Sequence, residues 1–260
     1  MTDFVDAGGH RLEYERLVPQ TESRAASPVL VLLHEGLGSV ALWKDFPRQL
    51  ANTTGCPVIV YSRHGYGRSG RLTAPREVGY MHREALEVLP EVLSKLGIVE
   101  PVLVGHSDGA SIALIHAARH PVRGLVAMAP HVFVEDITVA SIARAKTAFE
   151  TTNLAMKLGR YQDDVESTFR GWNDIWLHPA FHDWNIEEYL PDIDRPVLLI
   201  QGEDDQYGTI AQTEAIARQV SAPVETILLP DCAHSPHVDQ TAATLGAIVA
   251  FVRRLAPAPE

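Results

Sequence analysis

Three groups of residues in this 260-residue chain have types and spacing suited to nucleophilic and acid–base chemistry. The first is Ser107, set in Gly105-His106-Ser107-Asp108-Gly109. The second is the acidic run Glu203-Asp204-Asp205, and the third is the pair His234 and His237 in Cys232-Ala233-His234-Ser235-Pro236-His237. A serine hydroxyl is a poor nucleophile near neutral pH and needs a base to take its proton. Histidine suits that task because its ordinary pKa lies near neutrality, and a carboxylate can fix its tautomer.

Such groups act together only if the chain positions them. Ser107 follows the apolar, β-branched stretch Pro101-Val102-Leu103-Val104 and precedes Ala110–Arg119, where apolar residues recur at helical spacing. A strand therefore enters a helix through one abrupt turn with the serine at its apex. Glycines two before and two after the serine let neighbouring backbone pass closely. Five-residue matches of this kind also arise by chance, so the strand and helix around the motif carry the weight.

The flanking sequence repeats that alternation. Residues 10–18 alternate Leu12, Tyr14 and Arg16 with charges between, which predicts an exposed antiparallel edge strand. Gln20–Ser27 reads as a loop. Val29–Leu33 and Pro57–Tyr61 are short apolar runs fit for buried parallel strands. A helix is expected near Val40–Asn52, and another over 80–96 with a kink at Pro90. Strands at Gly124–Met128, Pro196–Ile200 and Val224–Leu229 and helices at Ile210–Val220 and Thr241–Leu255 complete the rhythm, with a frayed Ala-Pro-Ala-Pro-Glu tail. Alternating strands and helices imply an α/β fold, a mostly parallel sheet with helices on both faces. From about Glu135 to Pro191 the sequence is helical in pattern, carries Trp172, Trp176 and Trp184, and shows no strand signal. It reads as an insertion over the strand ends.

In a parallel sheet, reacting groups gather beyond the carboxyl ends of the strands. Gln201–Gly208 follows one late strand and Pro230–His237 follows the last, so an acid and then a histidine fall on the same edge as Ser107. The motif, this order and the loop positions resemble the α/β-hydrolase-fold superfamily, in its capped serine hydrolase form, over nearly the whole chain. The resemblance implies an eight-stranded-type sheet, with residues 1–130 and 192–260 as the core and 131–191 as a helical cap.

It also implies site residues. In similar enzymes the acid lies three residues after the glycine ending its strand, which points to Asp205; Asp204, the alternative, would otherwise cap the following turn. The histidine follows a small residue in a pattern similar to Gly-His-Ser, which points to His234 and leaves His237 as a supporting residue. Ser107 is then the nucleophile of a Ser-Asp-His triad, and the oxyanion hole takes the backbone N–H of Asp108. A second donor comes from the loop after Val29–Leu33, where His34-Glu35-Gly36-Leu37-Gly38 departs from the family's His-Gly-x-Gly. If Gly36 occupies the family's glycine position, Leu37 donates; if His34 keeps the histidine position, Glu35 is an insertion and Gly36 donates. The expected donor is Leu37. Glu35 then has three readings: bonded to neighbouring backbone, biasing substrate choice, or assisting a water.

Bulk properties narrow the partners. A net charge of -11 argues against nonspecific nucleic-acid binding and against an anionic membrane surface. Two cysteines, Cys56 and Cys232, and a first segment lacking the basic and apolar parts of a signal peptide predict a cytoplasmic protein. His116 with His120, and His178 with His182, stand one helical turn apart without a convincing third ligand, so no metal site is predicted. Gly65–Gly70 lacks a phosphate-loop lysine and reads as a scaffold turn, and Cys232 as a packed residue. Arg63, Arg68, Arg144, Arg160 and Arg170 are of a type that can bind a substrate carboxylate, but each is expected to be a solvated or salt-bridged surface residue. The expectation is a hydrolase, needing no cofactor, of a small organic ester, lactone or amide. The same resemblance leaves open a carbon–carbon bond hydrolase of diketone ring-cleavage products, a cofactor-independent oxygenase or a ligand receptor.

Overall fold

The computed structural model describes residues 2–20 and 27–255. Most of the loop expected over Gln20–Ser27, and the tail at 256–260, lie outside the described residues. Eight strands form one sheet in the order β1-β2-β4-β3-β5-β6-β7-β8. They are β1 (Thr2–Ala7), β2 (His10–Leu17), β3 (Leu30–Leu33), β4 (Val58–Tyr61), β5 (Val102–His106), β6 (Gly124–Met128), β7 (Val197–Gly202) and β8 (Val224–Leu229). β1 and β2 pair antiparallel, as do β2 and β4; every other pairing is parallel.

One expectation is corrected here. Residues 10–17 are antiparallel but not the edge, because β1 covers them in the register Val5↔Leu12. β1 left little trace in the sequence: only Val5 and Ala7 of its six residues are buried. Nor is Glu13 a solvated charge between apolar neighbours. It is buried, and its carboxylate accepts from the Ser62 hydroxyl and the Arg68 N–H, both at 2.9 Å. Those contacts clamp the glycine-rich turn after β4, and a Cβ on Gly67 would meet the Glu13 carboxylate at 2.4 Å.

The central strands are apolar on both faces because helices cover both. Leu30, Leu32, Val58, Val60, Val104 and Met128 pack with α1 (Phe46–Thr54) and α10 (Thr241–Leu255). Val31, Leu33, Ile59, Leu103 and Leu125 face α2 (Tyr80–Arg83), α3 (Leu89–Lys95) and α4 (Asp108–Ala117). Each fully buried leucine or isoleucine contributes roughly 1.5–3 kcal/mol. Between α2 and α3 the backbone opens into a π-helical turn over Glu84–Val88. Pro90, which has no N–H to give, begins the following helix, so the expected irregularity is a widened turn just before it.

Between β6 and β7 lie α5 (Asp136–Thr151), α6 (Leu154–Leu158) and α7 (Val165–Trp176), then two 3-10 turns. Phe169, Trp172, Trp176, Phe181 and Trp184 of this stretch are buried in the same apolar cluster as one face of the sheet. The only strand-like feature there, among the described residues, is the isolated bridge Phe133↔Asn185. After β7 come α8 (Ile210–Gln219), then β8, the short α9 (Pro236–Asp239) and α10. No helix among the described residues is long and apolar enough to cross a membrane.

Candidate active site

The turn between β5 and α4 is as sharp as the sequence demands. Ser107 sits at φ 52° and ψ −120°, and its N–H donates to the Met128 carbonyl at 2.9 Å. A Cβ on Gly109 would lie 2.0 Å from the Leu33 carbonyl oxygen, and one on Gly105 would lie 2.4 Å from the Gly109 oxygen. Both glycines are therefore fixed by close backbone approach.

The hydroxyl raised by this turn meets a histidine from the other end of the chain. His234 Nε2 is 2.9 Å from Ser107 Oγ. His234 Nδ1 is 2.9 Å from each carboxylate oxygen of Asp205. With the proton on Nδ1, the imidazole donates to the carboxylate and leaves Nε2 free to accept from the serine. Asp205 is held in turn by the Tyr207 N–H at 2.8 Å and the Gln201 amide at 2.7 Å. Burial alone would raise its pKa; the His234 hydrogen bond and charge, and the Tyr207 N–H, outweigh burial and hold it below the ordinary value. Asp204, the alternative acid, is exposed, and its backbone N–H bonds the Cys232 carbonyl.

The loop after β3 is organised by His34. Its Nε2 accepts from the Arg63 N–H at 3.1 Å, so Nδ1 carries the proton and donates to the Glu35 carbonyl at 2.7 Å. Burial, then the Arg63 charge, pushes the His34 pKa well down, consistent with a neutral ring. Gln162, in the turn before α7, donates to the Leu37 carbonyl at 2.6 Å and accepts from the Gly67 N–H at 2.6 Å. It thereby fixes the Leu37 peptide against the second glycine-rich turn. A Cβ on Gly36 would meet the Trp172 indole nitrogen at 2.1 Å, so a tryptophan of α7 lies directly on this loop.

Asp108 carries a buried network behind the serine. Its carboxylate accepts from the Tyr80 hydroxyl at 2.6 Å, and that hydroxyl accepts from the Trp176 indole at 3.1 Å. Arg63 lies 3.7 Å from the same carboxylate and donates to the Glu35 carbonyl at 2.9 Å. The expectation of a surface arginine is corrected at Arg63, which is buried.

Glu35 also departs from its simplest reading. Its backbone carbonyl does serve the loop, but its carboxylate lies 3.5 Å from His106 Nδ1. His237 is buried against Trp43 and His106, with ring centroids 4.7 and 4.9 Å away. Burial, then the neighbouring His106 charge, pushes its pKa down to about 3.

Sequence reasoning missed His106, Tyr80, Gln162 and His131. His131 directly follows Pro130 at the carboxyl end of β6, so the strand-end rule already used for Asp205 and His234 would have found it. Its ring centroid stands 5.7 Å from that of His234 and 5.3 Å from that of Trp176. Burial, then the His234 charge, pushes its pKa down to about 3. His116 and His120 stack at 4.6 Å, and His116 Nδ1 bonds the Ala85 carbonyl at 2.8 Å.

A model of the Alpha/beta hydrolase family matches residues 30–247. This chain belongs to that family. Its eight-stranded, mostly parallel sheet with helices on both faces is the family's fold. A proline iminopeptidase of Lactobacillus delbrueckii subsp. bulgaricus is 27% identical over 197 residues, covering 73% of this chain and 63% of that enzyme. The chain thus spans somewhat under two thirds of the length of that relative. A pimeloyl-[acyl-carrier protein] methyl ester esterase of Nitrosospira multiformis is 25% identical, with 89% of this chain and 97% of that enzyme covered. Among solved structures, a Mycobacterium smegmatis proline iminopeptidase superposes with a TM-score of 0.79 at 19% identity, covering 98% of both chains. The enol-lactonase of Burkholderia xenovorans LB400 gives 0.72 at 17% identity, covering 96% of this chain and 100% of that one. These two structural likenesses speak for the fold alone.

Proposed function

We propose that this protein is a serine hydrolase that cleaves a small organic ester, lactone or amide through an acyl-serine intermediate, using protein groups alone. The observation that carries the reading is the continuous chain Ser107–His234–Asp205, with 2.9 Å at each link. The sequence relatives named above, an iminopeptidase and an esterase, support acyl transfer to water as the reaction class.

In this reading Ser107 Oγ attacks the substrate carbonyl carbon while His234 Nε2 takes the hydroxyl proton. Asp205 stabilises the imidazolium so formed. The carbonyl electron pair moves onto oxygen, and the backbone N–H groups of Asp108 and Leu37 receive that oxyanion. The N-terminus of α4 adds positive potential there, and each such donor is worth roughly a hundred- to a thousandfold in rate. Collapse breaks the bond to the leaving group, which departs with the proton from His234. Water then attacks the acyl-serine and gives its proton to His234. A second collapse frees the carboxylic acid and returns the proton to Ser107. Residues 131–191 act as a cap, its Trp172 lying on the Gly36 turn and its Trp176 against His131, with Tyr207 and His131 beside the base.

The test is a burst experiment. Mixing the protein with excess p-nitrophenyl acetate is expected to release close to one equivalent of nitrophenolate rapidly, followed by slower steady turnover. A strictly linear trace at the rate of a denatured control would contradict the acyl-enzyme.

A further inference from the structure

His106, the residue just before the serine, plays no part in the proton transfers above, yet it is buried between the two loops the reaction depends on. Its Nε2 donates to the backbone carbonyl of His234, the proposed base, at 2.7 Å. Its Nδ1 faces the Glu35 carboxylate at 3.5 Å. That carboxylate lies over the next turn of its own loop, where a Cβ on Gly38 would meet Glu35 Oε2 at 2.5 Å and the Gly38 N–H bonds the Glu35 carbonyl at 3.1 Å. One imidazole therefore joins the loop that carries the base to the loop that carries Leu37.

We propose that His106, as an imidazolium held between the His234 carbonyl and the Glu35 carboxylate, is a positioning residue that keeps the base and the Leu37 loop in register, and that this lock opens when the ring loses its proton. The inference rests on the hydrolase reading for its effect on turnover. With Nε2–H committed to the carbonyl, an unprotonated Nδ1 would turn its lone pair toward a carboxylate, so the charged ring is the form this geometry favours. The other groups facing the ring are the His237 imidazole, the His234 imidazole with its centroid 5.2 Å away, and the Trp43 indole; the Asp205 charge also reaches it. Burial opposes protonation, but the facing Glu35 carboxylate outweighs it, and the His106 pKa is raised. Glu35 moves the other way: burial opposes ionisation, the facing His106 imidazole outweighs it, and its carboxyl is held below the ordinary carboxylate range. The signs agree. The pair is intact where the imidazolium exists and is lost as pH rises through the His106 pKa. A buried ion pair adds little net stability, and fixing a register is its best-attested use.

The experiment compares wild type, Glu35→Gln and Glu35→Asp by ester turnover from pH 6 to 9, by melting temperature, and by 15N NMR of the histidine side chains. Glu35→Gln keeps the shape but removes the charge. It is expected to move the alkaline limb of kcat toward acid, lowering the ratio of turnover at pH 8 to that at pH 6.5 by at least about threefold. Glu35→Asp should restore part of that ratio. The His106 resonances should titrate above the ordinary histidine value in wild type and at lower pH in Glu35→Gln. A folded Glu35→Gln with an unshifted alkaline limb, including one that loses activity equally at every pH, would overturn the proposal, as would a His106 already neutral at pH 6.5 in wild type. Failure of the hydrolase reading looks different. Wild type would then show no turnover and no fluorophosphonate labelling of Ser107, while the His106 titration would still shift with Glu35→Gln.

Discussion

Ser107→Ala is expected to lower ester turnover by roughly four orders of magnitude or more, to the level given by binding and oxyanion donors alone. The size follows from what the hydroxyl does: it is the atom that would bond to the acyl group, and no neighbouring oxygen shares its place beside His234 Nε2. The cost to the fold should be small by comparison. The substitution leaves the φ of 52° as it is for an L-residue and removes one hydrogen bond. An unpartnered nitrogen costs about 1–3 kcal/mol when fully buried, and His234 is only partly buried, so the loss stays at or below that. Circular dichroism and a melting curve should therefore show a folded protein melting a few degrees lower. Unfolding by this variant would mean that the serine is structural.

Gly109→Ala is expected to have the largest effect on folding. Its new Cβ would stand 2.0 Å from the carbonyl oxygen of Leu33 and 2.5 Å from its carbonyl carbon. These are backbone atoms of a central strand, so no side chain can swing aside; β3 and α4 must separate. The loss should exceed about 3 kcal/mol, equivalent to a melting temperature lower by about 6 °C or more for a chain of this size. Gly246 supplies the control. It lies exposed in α10 with nothing within 4 Å of an added Cβ, so Gly246→Ala should stabilise by about 0.5–1 kcal/mol. Melting curves of the two variants against wild type check both signs. Equal melting temperatures would contradict the packing of the serine turn described above.

The strands that build the site were legible because they are short and apolar on both faces. Val29–Leu33, Pro57–Tyr61 and Gly124–Met128 each read as buried parallel strands and lie in the centre of the sheet. β1 was not legible, since Thr2–Ala7 alternates charge and apolar residues too weakly, and β2 was misread as an edge for want of its partner. The proposed triad was legible for a different reason: each member occupies a strand-end loop, and the order of strands along the chain brought those loops to one edge. What escaped was nonlocal. His106 looked like a variable position inside a motif, and Arg63 like one surface arginine among several. Nothing in sequence spacing says that Tyr80 reaches Asp108 or that Gln162 reaches Leu37. Their roles arise from contacts across 28 and 125 positions of chain.

The π-turn at Glu84–Val88 shows the same boundary. Pro90 announced an irregularity, but whether a helix kinks, stops or widens depends on what packs against it. Here Met81, Ala85, Val88 and Leu89 are all buried in the same cluster as α4, so a widened turn keeps the apolar face directed at the sheet. The distinction matters for function because Tyr80, at the start of this segment, donates to the carboxylate beside the serine.

Whether Ser107 is a nucleophile activated by His234 is read by exposing the folded protein to a fluorophosphonate, followed by mass spectrometry of the intact chain and of its peptides. The expected result is one adduct per chain, carried on the peptide containing Gly105–Gly109 at Ser107, absent from Ser107→Ala and strongly slowed in His234→Ala. An unlabelled wild type, or an adduct on another residue that persists in Ser107→Ala, would mean that Ser107 is not the nucleophile.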